Sequence, residues 1–149
     1  MWAEPPVEIQ AVPTTVQEVF RHAERLHANG HYAEAEPLCR EALAEMESVH
    51  GPDGAEVIPV LNALANLYHA QGRERDAEPV CRRALELGES RLQPQDPEIA
   101  VSLNTLADIY RMTYRHVAAE PLYRRSLAIL NAAPVSPNPK TVPILSYLA

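Results

Sequence analysis

The sequence predicts an all-α solenoid built from about three and a half antiparallel helix hairpins stacked side by side, and three observations lead there. First, "AEPLCREAL" at 35–43 returns as "AEPVCRRAL" at 77–85 and as "AEPLYRRSL" at 119–127, a constant spacing of 42 residues. A fixed period of about 20–50 residues is the mark of a repeat array. Second, the rest of the unit keeps the same phase: Ala23, Ala65, Ala107 and Ala149; Leu61, Leu103 and Leu145; Leu64, Leu106 and Leu148; Tyr68 and Tyr110; Gly30 and Gly72. Third, the chain is poor in aromatics and rich in Ala, Leu, Glu and Arg, residues that favour helix.

Taken in order, each unit resolves into two amphipathic helices. Residues 1–13 read as an N-terminal extension expected to be poorly ordered, and 14–149 as the array, with units at about 14–52, 53–95 and 96–137 and a half unit or capping helix at 138–149. The first helix, 14–28, opens at Thr15 and Glu18, which have capping-box spacing. Its partner spans about 31–49. In the second unit, 55–71 places Leu61, Leu64, Ala65 and Tyr68 at i, i+3, i+4 and i+7, one apolar stripe. Gly72 then ends the helix as a residue free to take positive φ. The helix at 73–89 puts Ala77, Cys81, Ala84 and Leu85 on one face. Asp96 is a good N-cap and Pro97 a good first residue for 97–113. Helices at 115–131 and 139–149 complete the set. Pro37, Pro79 and Pro121 fall within the first two turns of the second helices, where each costs little and bends rather than breaks the helix. Pro59 and Pro143 pose the same question in first helices.

The totals bound the function. A chain of 149 residues is one ordinary domain, and its 20 acidic against 13 basic residues, net −7, argue against bulk binding to nucleic acid or to an anionic membrane. No apolar run approaches the roughly 18 residues of a membrane span. The opening "MWAEPPVEIQAVP" lacks the basic and apolar regions of a signal peptide. Two cysteines, Cys39 and Cys81, do not make a disulfide scaffold, and a reducing, cytoplasmic setting fits them best.

Leu61, Ala65, Tyr68, Ala77, Cys81 and Ala84 resemble the small/large pattern of the tetratricopeptide repeat. The long period, with "SLNTLADIY", "AEPLCREAL" and "AEPVCRRAL", resembles the repeats of kinesin light chains and their prokaryotic relatives, over about residues 15–149. The resemblance implies a right-handed superhelix whose repeats share one continuous core. It also implies a concave surface lined by the first helix of each hairpin. The pattern is broken where Tyr114 replaces the turn glycine, where "PDGAE" forms the junction into unit two, and where Phe20 replaces an asparagine in unit one; local distortions are expected there.

The outward positions of the first helices fall into three rows of period 42: Phe20, Asn62, Asn104 and Ser146; Glu24, Asn66 and Asp108; His27, His69 and Arg111. Asparagine amides can bond both N–H and C=O of an extended peptide backbone. The resemblance implies that role for Asn62 and Asn104. The third row would favour a carboxylate. The plainer alternative is that all nine positions before Ser146 are merely solvated. Other constellations are weaker. His27 and His31 have the i, i+4 spacing of a metal pair, but Gly30 separates them, and no metal is expected. Cys39 and Cys81 read as buried small hydrophobes. Arg82–Arg83 and Arg124–Arg125, surrounded by Glu41, Glu45, Glu78, Glu86 and Glu120, read as a salt-bridged surface. Phosphate-loop, nucleophile-elbow and dinucleotide motifs are absent, so neither enzyme chemistry nor a cofactor is expected. The expected function is a protein-interaction scaffold that holds a peptide or partner segment in its groove. The alternative is a self-associating or spacer array, with the terminal half repeat as a self-association surface.

Overall fold

The computed structural model describes residues 16–132, which form six α-helices: α1 Val16–Ala28, α2 Tyr32–His50, α3 Ile58–Ala70, α4 Glu74–Arg91, α5 Pro97–Met112 and α6 His116–Ala132. The expectations for Thr15, for the extension and for a helix at 139–149 fall outside the described residues. Successive helices pair into three hairpins, α1/α2, α3/α4 and α5/α6, and each hairpin packs on the next. The array is all-α, as the period requires.

The core follows the phase of the sequence. Ala23, Ala65 and Ala107 on the first helices are fully buried, as are Ala35, Ala77 and Ala119 on the second helices. These small side chains let helix axes approach closely. Cys39, Cys81 and Tyr123 occupy equivalent buried positions. One cluster runs from Ala23 to Leu130 through all three hairpins, which is how a hairpin unable to bury its own apolar face acquires a core.

Helix ends show the local chemistry. The Asp96 side chain accepts from the Glu98 N–H at 2.9 Å, and Pro97 occupies the first turn. Helix α3 begins later than its periodicity suggests. Residues Ala55–Val57 form a 3₁₀ turn, and Pro59 then falls in the first turn of α3, where a missing N–H costs nothing. Pro37, Pro79 and Pro121 each stand six residues into a helix that continues past them. All three are on the exposed side, so the carbonyls they leave unpaired near the helix start can face water.

The break at Tyr114 produces no distortion. In each hairpin turn the positive-φ residue and the residue after it close the same pattern. Gly30 N–H bonds the His27 carbonyl and His31 N–H the Leu26 carbonyl, and Gly72 and Arg73 repeat this on His69 and Tyr68. Tyr114 and Arg115 repeat it again on Arg111 and Tyr110. Tyr114 therefore adopts a glycine conformation, φ 63°, beside 81° at Gly30 and 73° at Gly72. Its ring is 86% exposed and meets His116 edge-on, so little packing offsets the strain. Tyr114→Gly is expected to raise stability by about 0.5–1 kcal/mol, the net of relieved left-handed strain and glycine's larger unfolded-state entropy. Urea unfolding of the two proteins checks this.

The outer surface is cross-linked by a device that the sequence reading passed over. Tyr68 is clasped by two arginines, Arg40 on α2 and Arg73 at the N-cap of α4. Arg40 Nη2 donates to its hydroxyl at 2.7 Å, and the Arg73 guanidinium lies 4.5 Å over its ring. Glu36 bonds both arginines, each at 2.7 Å. One repeat later Arg82 donates to the Tyr110 hydroxyl, Arg115 lies 4.2 Å over the ring, and Glu78 bonds both. The arginine doublets are salt-bridged as expected, but to partially different acids: Arg83 to Glu47, Arg124 to Glu120 and Arg125 to Glu89.

Candidate functional site

The inner face is formed by α1, α3 and α5, the first helices, which adjoin one another directly. Across it the three rows of candidate residues meet different fates.

In the first row, Asn62 is not an outward residue. It is 2% exposed, and both ends of its amide are spent on α5. Its Nδ2 donates to Glu98 Oε2 at 2.9 Å and to the Glu98 carbonyl at 3.2 Å, while Oδ1 accepts from Ser102 Oγ at 2.6 Å. Asn62 is a buried inter-repeat staple, which corrects the expectation of a ligand-facing amide. Phe20 is half-buried against Val19, Ala42 and Val60 and contributes to a small core cluster. Asn104, in phase with Asn62, is half-buried, and its Oδ1 has no hydrogen-bond partner among the described residues. Ser146 lies outside them.

In the second row, Glu24 is exposed and makes no hydrogen bond or ion pair among the described residues. Asn66 is half-buried, and its Oδ1 accepts from Thr105 Oγ1 at 2.8 Å, leaving its Nδ2 unengaged. Asp108 accepts from the Tyr123 hydroxyl. Burial raises the Asp108 carboxyl above its ordinary range, against the opposing pull of Tyr123, His69 and Arg111. Burial and the Asp108 contact also push the Tyr123 phenol up.

The third row does not present three free cations. Burial depresses His27 below the usual imidazole value, more than Glu24 raises it, so its ring is neutral at pH 7. Its ring centroid stands 5.3 Å from that of Tyr32. His69 Nδ1 lies 2.9 Å from Glu74 Oε2. Arg111 Nε donates to the Tyr123 hydroxyl at 3.4 Å. The charges of this row are answered within the fold, so it does not form the carboxylate receptor that its composition suggested.

Glu98, Ser102 and Thr105 are the inner-face residues that sequence reasoning missed. They are polar side chains on α5 aimed at α3, where the preceding unit has Glu56, Val60 and Ala63. For Ser102 and Thr105 the signal was a polar residue where the preceding unit has Val60 and Ala63, whereas Glu98 repeats Glu56. A cavity of about 210 Å³ opens between α1 and α3, lined by Ala23, Glu24, His27, Cys39, Ala63, Asn66 and Leu67.

The remaining candidates are structural. Cys39 and Cys81 are free and buried, and burial pushes both thiols up to about 12. Cys81 Sγ donates to the Ser102 carbonyl at 3.1 Å. Among the described residues no group of His, Cys, Asp and Glu is placed to hold a metal. Nor is any helix there long and apolar enough to cross a membrane.

The tetratricopeptide-repeat family profile matches residues 16–90 and 60–132, and the chain belongs to that family. Its fold is similar to that of a Podosopora anserina protein described as a kinesin light chain with nearly identical TPR-like repeats. The TM-score is 0.76 at 20% identity, over 89% of this chain and 63% of that one. BtubC (BKLC) from P. vanneervenii is similar at a TM-score of 0.74 and 22% identity, over 89% of this chain and 52% of that one. The chain thus spans less than two thirds of the length of either. A search of curated protein sequences found no match. Tetratricopeptide repeats are protein–protein interaction modules, and the fold is generally a non-enzymatic one.

Proposed function

We propose that this array is a non-enzymatic scaffold that holds an extended peptide or partner segment along the face of α1, α3 and α5. The observation that carries the reading is hydrogen-bonding capacity left unspent on that face. Among the described residues the buried Asn104 Oδ1 has no hydrogen-bond partner and the Asn66 Nδ2 is unengaged, on neighbouring first helices. Buried polar atoms normally find partners, and an amide with a free donor and one with a free acceptor suit a peptide backbone, which offers both. Glu24, His27, His69, Asp108 and Arg111 flank that line and would select among side chains. Two buried free thiols suit a reducing, cytoplasmic setting.

A peptide-library selection tests the reading, run on wild type and on Asn66→Asp/Asn104→Ala. Aspartate at 66 keeps the acceptor for Thr105 and removes the donor, so the fold is spared. The expected result is a motif enriched by wild type and bound at least tenfold more weakly by the variant. Equal binding by both would place the ligand elsewhere. No enrichment would favour a spacer or self-associating array, which light scattering would then reveal as a monomer or an oligomer.

A further inference from the structure

The cavity between α1 and α3 lies where two facing side chains differ from those in phase with them at the α3–α5 junction. Where α3 meets α5, Thr105 reaches across and bonds Asn66. Where α1 meets α3, the residue in phase with Thr105 is Ala63 and the residue in phase with Asn66 is Glu24. Alanine has no hydroxyl to donate. The Glu24 carboxylate has no hydrogen-bond or ion-pair partner among the described residues, and a cavity of about 210 Å³ lies beside it.

Building on the groove reading above, we infer that this cavity receives a lysine side chain of the bound segment, with its ammonium on Glu24 and its methylene stem on Ala63 and Leu67. The walls suit that occupant at both ends. Ala23, Ala63, Leu67 and the Cys39 side chain give an apolar floor, against which a lysine stem packs while its head stays at the rim. The rim carries acceptors: the Glu24 carboxylate and the His27 ring. Burial keeps that ring uncharged, so it does not repel a cation and its bare nitrogen can accept. The Cys39 thiol, pushed up to about 12, stays protonated and adds no charge. Elsewhere on the face His69 stands against Glu74, Asp108 against Tyr123 and Arg111, and the Glu98 carboxylate accepts from Asn62, whereas Glu24 has no such contact among the described residues. A net charge of −7 would steer a basic segment towards the array in general.

The test uses Nα-acetyl-lysine-N-methylamide as probe and its norleucine counterpart as an uncharged isostere, each titrated into isotope-labelled protein while amide shifts are followed. The lysine probe is expected to give saturable shifts at Ala23, Ala63 and Leu67, and the norleucine probe at least tenfold weaker ones. Glu24→Gln should weaken the lysine probe at least tenfold. Ala63→Thr, which sets a hydroxyl beside Glu24 as Thr105 stands beside Asn66, should weaken its binding at least tenfold without lowering Tm. Equal response to the two probes, undiminished binding by Glu24→Gln, or no lysine-dependent shift at these amides at tens of millimolar probe would each overturn the inference. The outcomes also separate this site from the groove. Library peptides lacking a basic residue and bound equally by Glu24→Gln would remove the pocket and leave the groove standing. Lysine-specific shifts without any selected peptide would do the reverse.

Discussion

Leu103→Ala is expected to lower the unfolding free energy by about 2–5 kcal/mol, the range for deleting a buried leucine side chain. Leu103 is 0% exposed at the centre of α5, within the cluster that joins all three hairpins. Several of its cluster mates are alanines, among them Ala77, Ala100 and Ala107, whose side chains are too short to fill a vacated volume. The cavity term should therefore add fully to the transfer term. Repeats couple only to their neighbours, so loosening α5 also weakens the coupling between the second and third hairpins. Urea unfolding followed by circular dichroism is expected to show an earlier midpoint and a broader transition. A midpoint near that of wild type would mean that α5 does not bridge the two hairpins.

Asn62→Ala is expected to cost about 1–3 kcal/mol, because it removes the hydrogen bonds that a buried amide makes to Glu98 and Ser102 on α5. Ser102, at 0% exposure, loses its 2.6 Å acceptor, and the Glu98 carboxylate loses a donor at 2.9 Å. A fall in Tm of roughly 3–10 °C corresponds to that cost for a chain of this size. Asn104→Ala is the matched control. The same residue type at the same repeat position has an Oδ1 without a partner among the described residues, so its removal is expected to change stability by no more than about 0.5 kcal/mol. Thermal unfolding of the two variants side by side checks the contrast. Equal shifts would show that repeat position alone sets the asparagine's role.

That contrast explains what was legible in the sequence and what was not. The apolar positions obey the period because every hairpin must bury the same faces, so Ala23, Ala65 and Ala107 could be read as one row and are one row in the core. A polar residue is different. Its role depends on what the next repeat sets opposite it, and that residue need not keep the period. Asn62 faces Ser102 and Glu98 and is buried; the residues in phase with those two, for the next junction, are Ile144 and Lys140. Likewise Glu24 and Asn66 share a row, yet Ala63 opposes one and Thr105 the other. Rows therefore grouped equivalent positions of the first helices but did not tell which of those side chains are spent on contacts within the fold. Tyr114 was misleading in the other direction. The backbone bonds of the turn hold its φ positive whichever residue stands there, so an unusual side chain did not mean an unusual turn. The Tyr68 and Tyr110 clasps went unread because each joins an arginine on one second helix to an arginine just before the next, 33 residues apart in each case, at Arg40 and Arg73 and at Arg82 and Arg115.

The central claim is that a partner lies against the first helices. Amide hydrogen exchange of the array with and without a selected peptide tests it most directly. The expected result is added protection on α1, α3 and α5, strongest around Asn66 and Asn104, with α2, α4 and α6 little changed. Protection confined to α2, α4 and α6 would contradict the account and place the binding surface on the arginine–tyrosine clasps of the outer face.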